Sequence, residues 1–334
     1  MISAGSVRGR GRVVYGVAAA VLCVAGLSTA SSAAAPAAMC GGKAATITGT
    51  EGADTLTATP GDDVIVALGG DDTINLTTGN ESGRGTDLVC LGEGKDTVKD
   101  RHGGRLTVYG GNGDDTLNVG TGSLGVITLR GEGGNDRLYA MGGNKASVYG
   151  GAGDDVITGA LGGVTGWGGE GNDTLTYGKA AWKPLTFHGG PGKDTLTGGY
   201  NGDTLNGDDG NDRIIGGIRT TAHFKDRDTI HGGAGDDEIG GGAEADTIYG
   251  DGGNDHICGD WLKSRIECLE PGQGGADTLH GGAGDDVLDG GATHPSNATP
   301  IRGDKAHGGD GDDDLCMNVE GGSGCERYSD TPRT

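Results

Sequence analysis

The sequence predicts an all-β protein, a β-helix-like solenoid in which coils of about 18 residues stack into a column. Three observations predict it. Glycine accounts for 76 of 334 residues, against a usual share of about 7%. The apolar fraction is 33% and the aromatic fraction 4%, too little to fill an ordinary two-layer core. A nine-residue unit recurs along most of the chain. Glycine falls short of one-third and has no period of three, which excludes collagen. Low hydrophobicity with a net charge of −23 would by itself describe disorder; the repeat argues otherwise.

At the N-terminus, Arg8, Arg10 and Arg12 precede an apolar run from Val13 to Leu27, and small residues follow with A-x-A-like cleavage choices at Ala35 or Ala38. This is the three-part pattern of a secretory leader. A retained anchor is the competing reading, but Gly16, Gly26, Ser28 and Thr29 dilute the run. The expected organisation is a signal peptide over 1–38 and a single solenoid over 39–334 with disulfide-pinned ends, secreted. No acidic residue leaves with the leader, so the mature charge becomes −26, from 22 basic and 48 acidic residues. Such a charge repels phosphate, so neither nucleic acid nor, once the leader is removed, a membrane surface is expected as partner.

The unit reads Gly150-Gly-Ala-Gly-Asp-Asp-Val-Ile-Thr158, and returns as Gly110-Gly-Asn-Gly-Asp-Asp-Thr-Leu-Asn118, Gly168-Gly-Glu-Gly-Asn-Asp-Thr-Leu-Thr176 and Gly281-Gly-Ala-Gly-Asp-Asp-Val-Leu-Asp289. The sixth-position aspartate serves as a ruler. It falls at Asp54, Asp63, Asp72, Asp87, Asp96, Asp115, Asp136, Asp155, Asp173 and Asp194. It continues at Asp203, Asp212, Asp228, Asp237, Asp246, Asp255, Asp277, Asp286, Asp304 and Asp313. Leu, Ile or Val stands two residues later in 19 of these 20 units, Ala306 being the exception. Glycines permit positive φ through a tight turn. A short strand then alternates faces, so position eight points inward and positions seven and nine outward. One unit cannot bury its single aliphatic, so units must stack.

This pattern, G-G-x-G-x-D-x-U-x with U a large aliphatic, resembles the RTX or haemolysin-type calcium-binding repeat from about Gly49 to Cys316. The resemblance implies a parallel β-roll, with calcium held between turns of adjacent coils by position-six carboxylates and glycine-rich carbonyls. The implied ligands are the ruler aspartates other than Asp87 and Asp203; the Asp203 turn is one residue short. It also implies on the order of ten calcium ions, which suits a cation that takes six to eight oxygens. Roughly ten divalent ions would offset about 20 of the 26 excess charges and couple metal binding to folding.

Spacing divides the column. Between Asp96 and Asp194 the rulers lie 18 to 21 residues apart, and the opposite turns, such as Leu161-Gly-Gly163, lack acid. Calcium is therefore expected along one edge in the middle and both edges elsewhere. Longer breaks at Thr77–Thr86, Gly217–Arg227, Asp260–Gly274 and Gly291–Ile301 read as loops extruded from the coil. Six cysteines remain after the leader, which carries Cys23. They allow fifteen pairings, and neighbours in sequence suggest Cys40–Cys90, Cys258–Cys268 and Cys316–Cys325. Zinc is the alternative, without a C-x-x-C pair to support it. Cys90, Cys258 and Cys316 occupy outward position nine, so the bridges should pin flanking segments outside the column. Cys40–Thr50 and Asn318–Cys325 should cap its ends.

Other chemistry has plainer readings. Adjacent acids such as Asp154-Asp155 recur at every turn and so read as turn or ligand groups rather than a catalytic pair. His188, His231, His280 and His307 each precede Gly-Gly; outward strand positions explain them better than a transition-metal site. Arg302-Gly-Asp304 follows from G-x-D usage, and Asn297-Ala-Thr299 is a sequon that matters only in a glycosylating host. No nucleophile elbow, zincin, P-loop or EF-hand motif occurs, so no enzyme is expected. The functional expectation is a secreted calcium-binding protein. The alternatives are an adhesin or matrix protein recognising a surface or glycan, with Trp261 in its extruded loop, and a polysaccharide-modifying enzyme.

Overall fold

In the computed structural model the described residues run from 37 to 329, with breaks of which the longest are 77–84, 218–225, 270–275 and 292–303. The leader, the Asn297 sequon, Arg302, and most of the loops after Leu76, Gly217 and Gly291 lie outside the described residues. So do parts of the non-acidic turns, including 122–124 and 143–144.

All regular structure among the described residues is strand. Two parallel sheets of 14 strands face each other. Sheet I runs from Ile47–Thr48 to Gly321–Ser323, and sheet II from Thr55–Thr57 to Arg327–Ser329. The chain alternates between them, so each coil adds one strand to each sheet. Alternation along each strand follows from the pleat: Leu117 is buried between partly exposed Thr116 and exposed Asn118. Inward residues meet in one continuous ladder of Leu, Ile and Val along the column. The parallel β-roll is therefore the fold.

The ladder changes composition along its length. In the middle, one coil buries Leu106, Val108, Leu117 and Val119, and the next Ile127, Leu129, Leu138 and Ala140. Towards the C-terminus a coil buries two, as with Leu205 and Ile214 or Ile248 and Ile257. Strand length follows. Sheet II strands reach six residues at Thr116–Thr121 and Arg137–Gly142, but three at Arg213–Ile215 and His256–Cys258.

The three disulfides join Cys40–Cys90, Cys258–Cys268 and Cys316–Cys325. Two pin flanking structure outside the column. An antiparallel hairpin, Met39–Cys40 with Lys43–Ala44, places Gly41 against the outward Leu88. A second hairpin, Trp261–Ser264 with Glu267–Leu269, lays Leu262 over Gly240 and leaves Cys258 fully buried. The third departs from expectation. Cys316 points inward and belongs to the core cluster, with Cys325 packed against it. Nor is 318–325 a cap: Gly321–Ser323 pairs in parallel with Lys305–Asp310, and Arg327–Ser329 with Leu315–Met317, so the chain makes another coil. At the other end, Ile47–Thr48 is already the first strand of sheet I.

The four Gly-Gly-preceding histidines share one outward register position of sheet I. They stand in a file of stacked rings. Arg130 lies 4.3 Å from the Tyr149 ring, Tyr149 stacks on Trp167 at 4.4 Å, and Trp167 on His188 at 6.0 Å. Beyond Asn206 the file resumes with His231 on Tyr249 at 4.5 Å, Tyr249 on His280 at 4.7 Å, and His280 on His307 at 5.0 Å.

Candidate metal centre

Each sheet I strand leads through a glycine turn into a sheet II strand, and the ruler aspartate closes that turn. Its backbone N–H donates to Oδ1 of the ruler aspartate one coil on. The series runs from Asp54 through Asp72, Asp96, Asp115, Asp136, Asp155, Asp173, Asp194, Asp212, Asp237, Asp255 and Asp286 to Asp314. Donor and acceptor lie 2.7 to 2.9 Å apart throughout. This first row is unbroken. The second, on the edge where sheet II returns to sheet I, is broken. Asp63 bonds to Asp87, and Asp203, Asp228, Asp246, Asp277 and Asp304 form a run. In between, strand register places Leu106, Ile127, Ala146, Val164 and Leu185 where those aspartates stand, all buried. Acid thus lines one edge in the middle and both edges elsewhere.

One carboxylate oxygen holds the coils in register. The other is left over. Oδ2 is buried without a hydrogen-bond partner in Asp72, Asp96, Asp115, Asp136, Asp155, Asp173, Asp194, Asp212, Asp237, Asp255 and Asp286 of the first row, and in Asp228, Asp246 and Asp277 of the second. A file of buried partnerless carboxylates is strongly unfavourable. The turn glycines show where those oxygens point. At Gly150, the space a Cβ would fill is taken by Asp155 Oδ2 and the Gly168 carbonyl; Gly168, Gly189 and Gly281 repeat the arrangement with Asp173, Asp194 and Asp286. Gly151 and Gly153, at φ +129° and +125°, bend the chain to allow it. Hard oxygens, carboxylate and carbonyl, thus converge on a cradle that a side chain would close, which suits calcium.

Electrostatics agrees. Burial first, then neighbouring carboxylates, push the acids up from the usual range, to about 7 at Asp115, Asp155, Asp194 and Asp255 and to about 8 at Asp237. The N–H bond from the preceding coil opposes this but does not cancel it. Asp228 is raised further, first by burial and then by Asp226 and Asp203, and Asp246 by burial and then by Asp228, Asp277 and Asp226. Protons or cations must neutralise such a row.

Several ruler aspartates differ from the rest. Asp54 and Asp63 give Oδ2 to their own turns, accepting from the Thr50 and Thr59 backbone N–H at 2.6 and 2.7 Å and from the same threonines' hydroxyls at 2.8 and 3.0 Å. Asp203, in its shortened turn, accepts from Gly199 and Leu185. Asp313 is a correction. It is exposed, and Asp314 holds the row, accepting from Asp286 at 2.9 Å. That one-residue shift is what turns Cys316 inward. Position five, not singled out in the sequence, carries a parallel outer file. Asn135 N–H donates to Asp114 at 3.0 Å, Asp154 N–H to Asn135 at 2.7 Å, and Asn172 N–H to Asp154 at 2.8 Å. Alternating Asp with Asn spares this file half its charge.

The RTX calcium-binding nonapeptide repeat model matches residues 48–80, 107–123, 128–144, 147–165, 188–218, 225–257 and 271–294, more than half of the chain. The chain belongs to this family, and calcium is its ligand. No curated protein matches it. The repeat family is itself typically non-catalytic.

Proposed function

We propose that the protein is exported by its N-terminal leader and folds as calcium fills the two rows. Outside the cell it serves as a calcium-bound structural or surface protein without enzymatic activity. The observation that carries the folding step is the file of buried Oδ2 atoms without partners. A column that stacks these carboxylates needs divalent charge to offset their repulsion, so binding free energy becomes folding free energy. Calcium near millimolar outside a cell then supplies the folding signal that the cytosol withholds.

Circular dichroism of the leaderless chain in calcium and in excess chelator tests this. The expected result is strand signal in calcium and its loss in chelator; an unchanged spectrum defeats calcium-coupled folding. An adhesin or matrix role is a narrower form of the same reading, checked by glycan-array binding of the calcium-loaded protein.

A further inference from the structure

The repeat accounts for the ruler aspartates but not for Asp226. This residue stands two before Asp228, where the repeat has a glycine. Its side chain is fully buried, and both Oδ1 and Oδ2 lack a hydrogen-bond partner. The charges acting on it are carboxylates, those of Asp203 and Glu244, and it acts in turn on Asp228 and Asp246. The second-row oxygens beside it, Oδ2 of Asp228 and of Asp246, are orphaned too. The carboxylate fills the space that a Cβ on Gly217 would occupy. Glu244, at the same repeat position one coil on, is exposed and held at φ +73°. Where the repeat presents one carboxylate per turn, this turn presents two buried ones, Asp226 Oδ2 against Gly217 and Asp228 Oδ2 against Gly216, with Asp246 buried one coil on and Glu244 exposed.

We propose that Asp226, with Asp228, Asp246 and Glu244, holds a calcium ion of its own and that this is the tightest-binding site of the column. The proposal rests on the calcium-binding reading above and assigns a distinct ligand to a residue outside the repeat pattern. Affinity of oxygen sites for calcium rises with ligand charge, and this turn adds a second buried carboxylate to the one that the repeat supplies.

The test is calcium titration of the metal-stripped, leaderless chain, read by calorimetry and by ion counting in native mass spectrometry. Asp226→Asn should bind one ion fewer and lose the tightest phase, weakened at least tenfold. Asp155→Asn, in the first row, should also lose an ion but keep that phase. Without calcium, Asp226→Asn should melt higher than the native chain, because a buried partnerless carboxylate is gone; a purely structural aspartate would give the opposite sign. Gly217→Ala, whose methyl displaces the carboxylate, should reproduce the ion loss. An Asp226→Asn protein with the native ion count and tightest phase overturns the proposal while leaving calcium binding intact. A native chain that binds no calcium overturns both.

Discussion

The coils between Asp96 and Asp194 and those between Asp194 and Asp314 have the same outline and different contents. In the first group the slots of the second edge hold Leu106, Ile127, Ala146, Val164 and Leu185; in the second they hold Asp203, Asp228, Asp246, Asp277 and Asp304. Where hydrocarbon fills the slot, a coil buries up to four aliphatics and its sheet II strand extends to six residues. Where carboxylate fills it, two aliphatics and three-residue strands remain. The fold can hold a coil together by apolar burial or by cations, and this chain uses both in succession.

Removing calcium should separate the two regions most clearly. Hydrogen exchange read by mass spectrometry should show residues 196–317 losing protection at higher residual calcium than residues 105–160. Uniform loss along the column would erase the distinction. Acidity should act next. The folded acids titrate well above their ordinary range, at about 8 for Asp237 and about 7 for Asp255. The protonated form therefore favours the metal-free fold. Metal-stripped protein should be most stable near pH 4 and lose stability as pH rises through 7 to 8. In calcium the slope reverses, because the ion needs deprotonated carboxylates. Thermal melts at pH 4.5 and 8, with and without calcium, check the crossing.

Exchanging slot contents sharpens the comparison at one residue. Ile127→Asp puts a carboxylate in a slot whose preceding turn, Val119 to Gly125, carries no other acid, and should cost more than about 4 kcal/mol in both calcium and its absence. Rescue by calcium would mean that the slot alone makes a site. The smallest effect is expected from Cys258 and Cys268. Replacing both with serine releases the hairpin over Gly240 and should lower stability by about 2–3 kcal/mol, confined to that end in exchange measurements.

Much of this was legible in the sequence because the ruler couples two requirements, an acid in the turn and an aliphatic two residues on. That coupling located the rows, the core ladder and the one-edged middle; sequence proximity located the disulfides. It failed where chemistry allowed two registers. Asp310-Gly-Asp-Asp-Asp314 offers several candidate turn acids. The rule of an aliphatic at position eight favoured Asp313 with Leu315, whereas the chain turns small Cys316 inward. Asp54 and Asp63 match the ruler, yet a threonine four residues earlier satisfies the oxygen that would otherwise face a cation. Asp226 escaped notice because the ruler reads only position six. The ring file escaped because its stacked neighbours lie 18 to 31 residues apart, and only stacking across insertions of unequal length brings them into one register.

The same inequality bears on how such a chain can change. Asp155 meets Asp173 across 18 residues and Asp255 meets Asp286 across 31, yet each pair makes the same N–H to Oδ1 bond, at 2.7 and 2.9 Å. The column counts coils and is blind to the length of chain between them. Sequence can therefore be added or removed at these turns without a neighbouring coil registering it, and the protein is a rack on which new segments can be hung at fixed intervals.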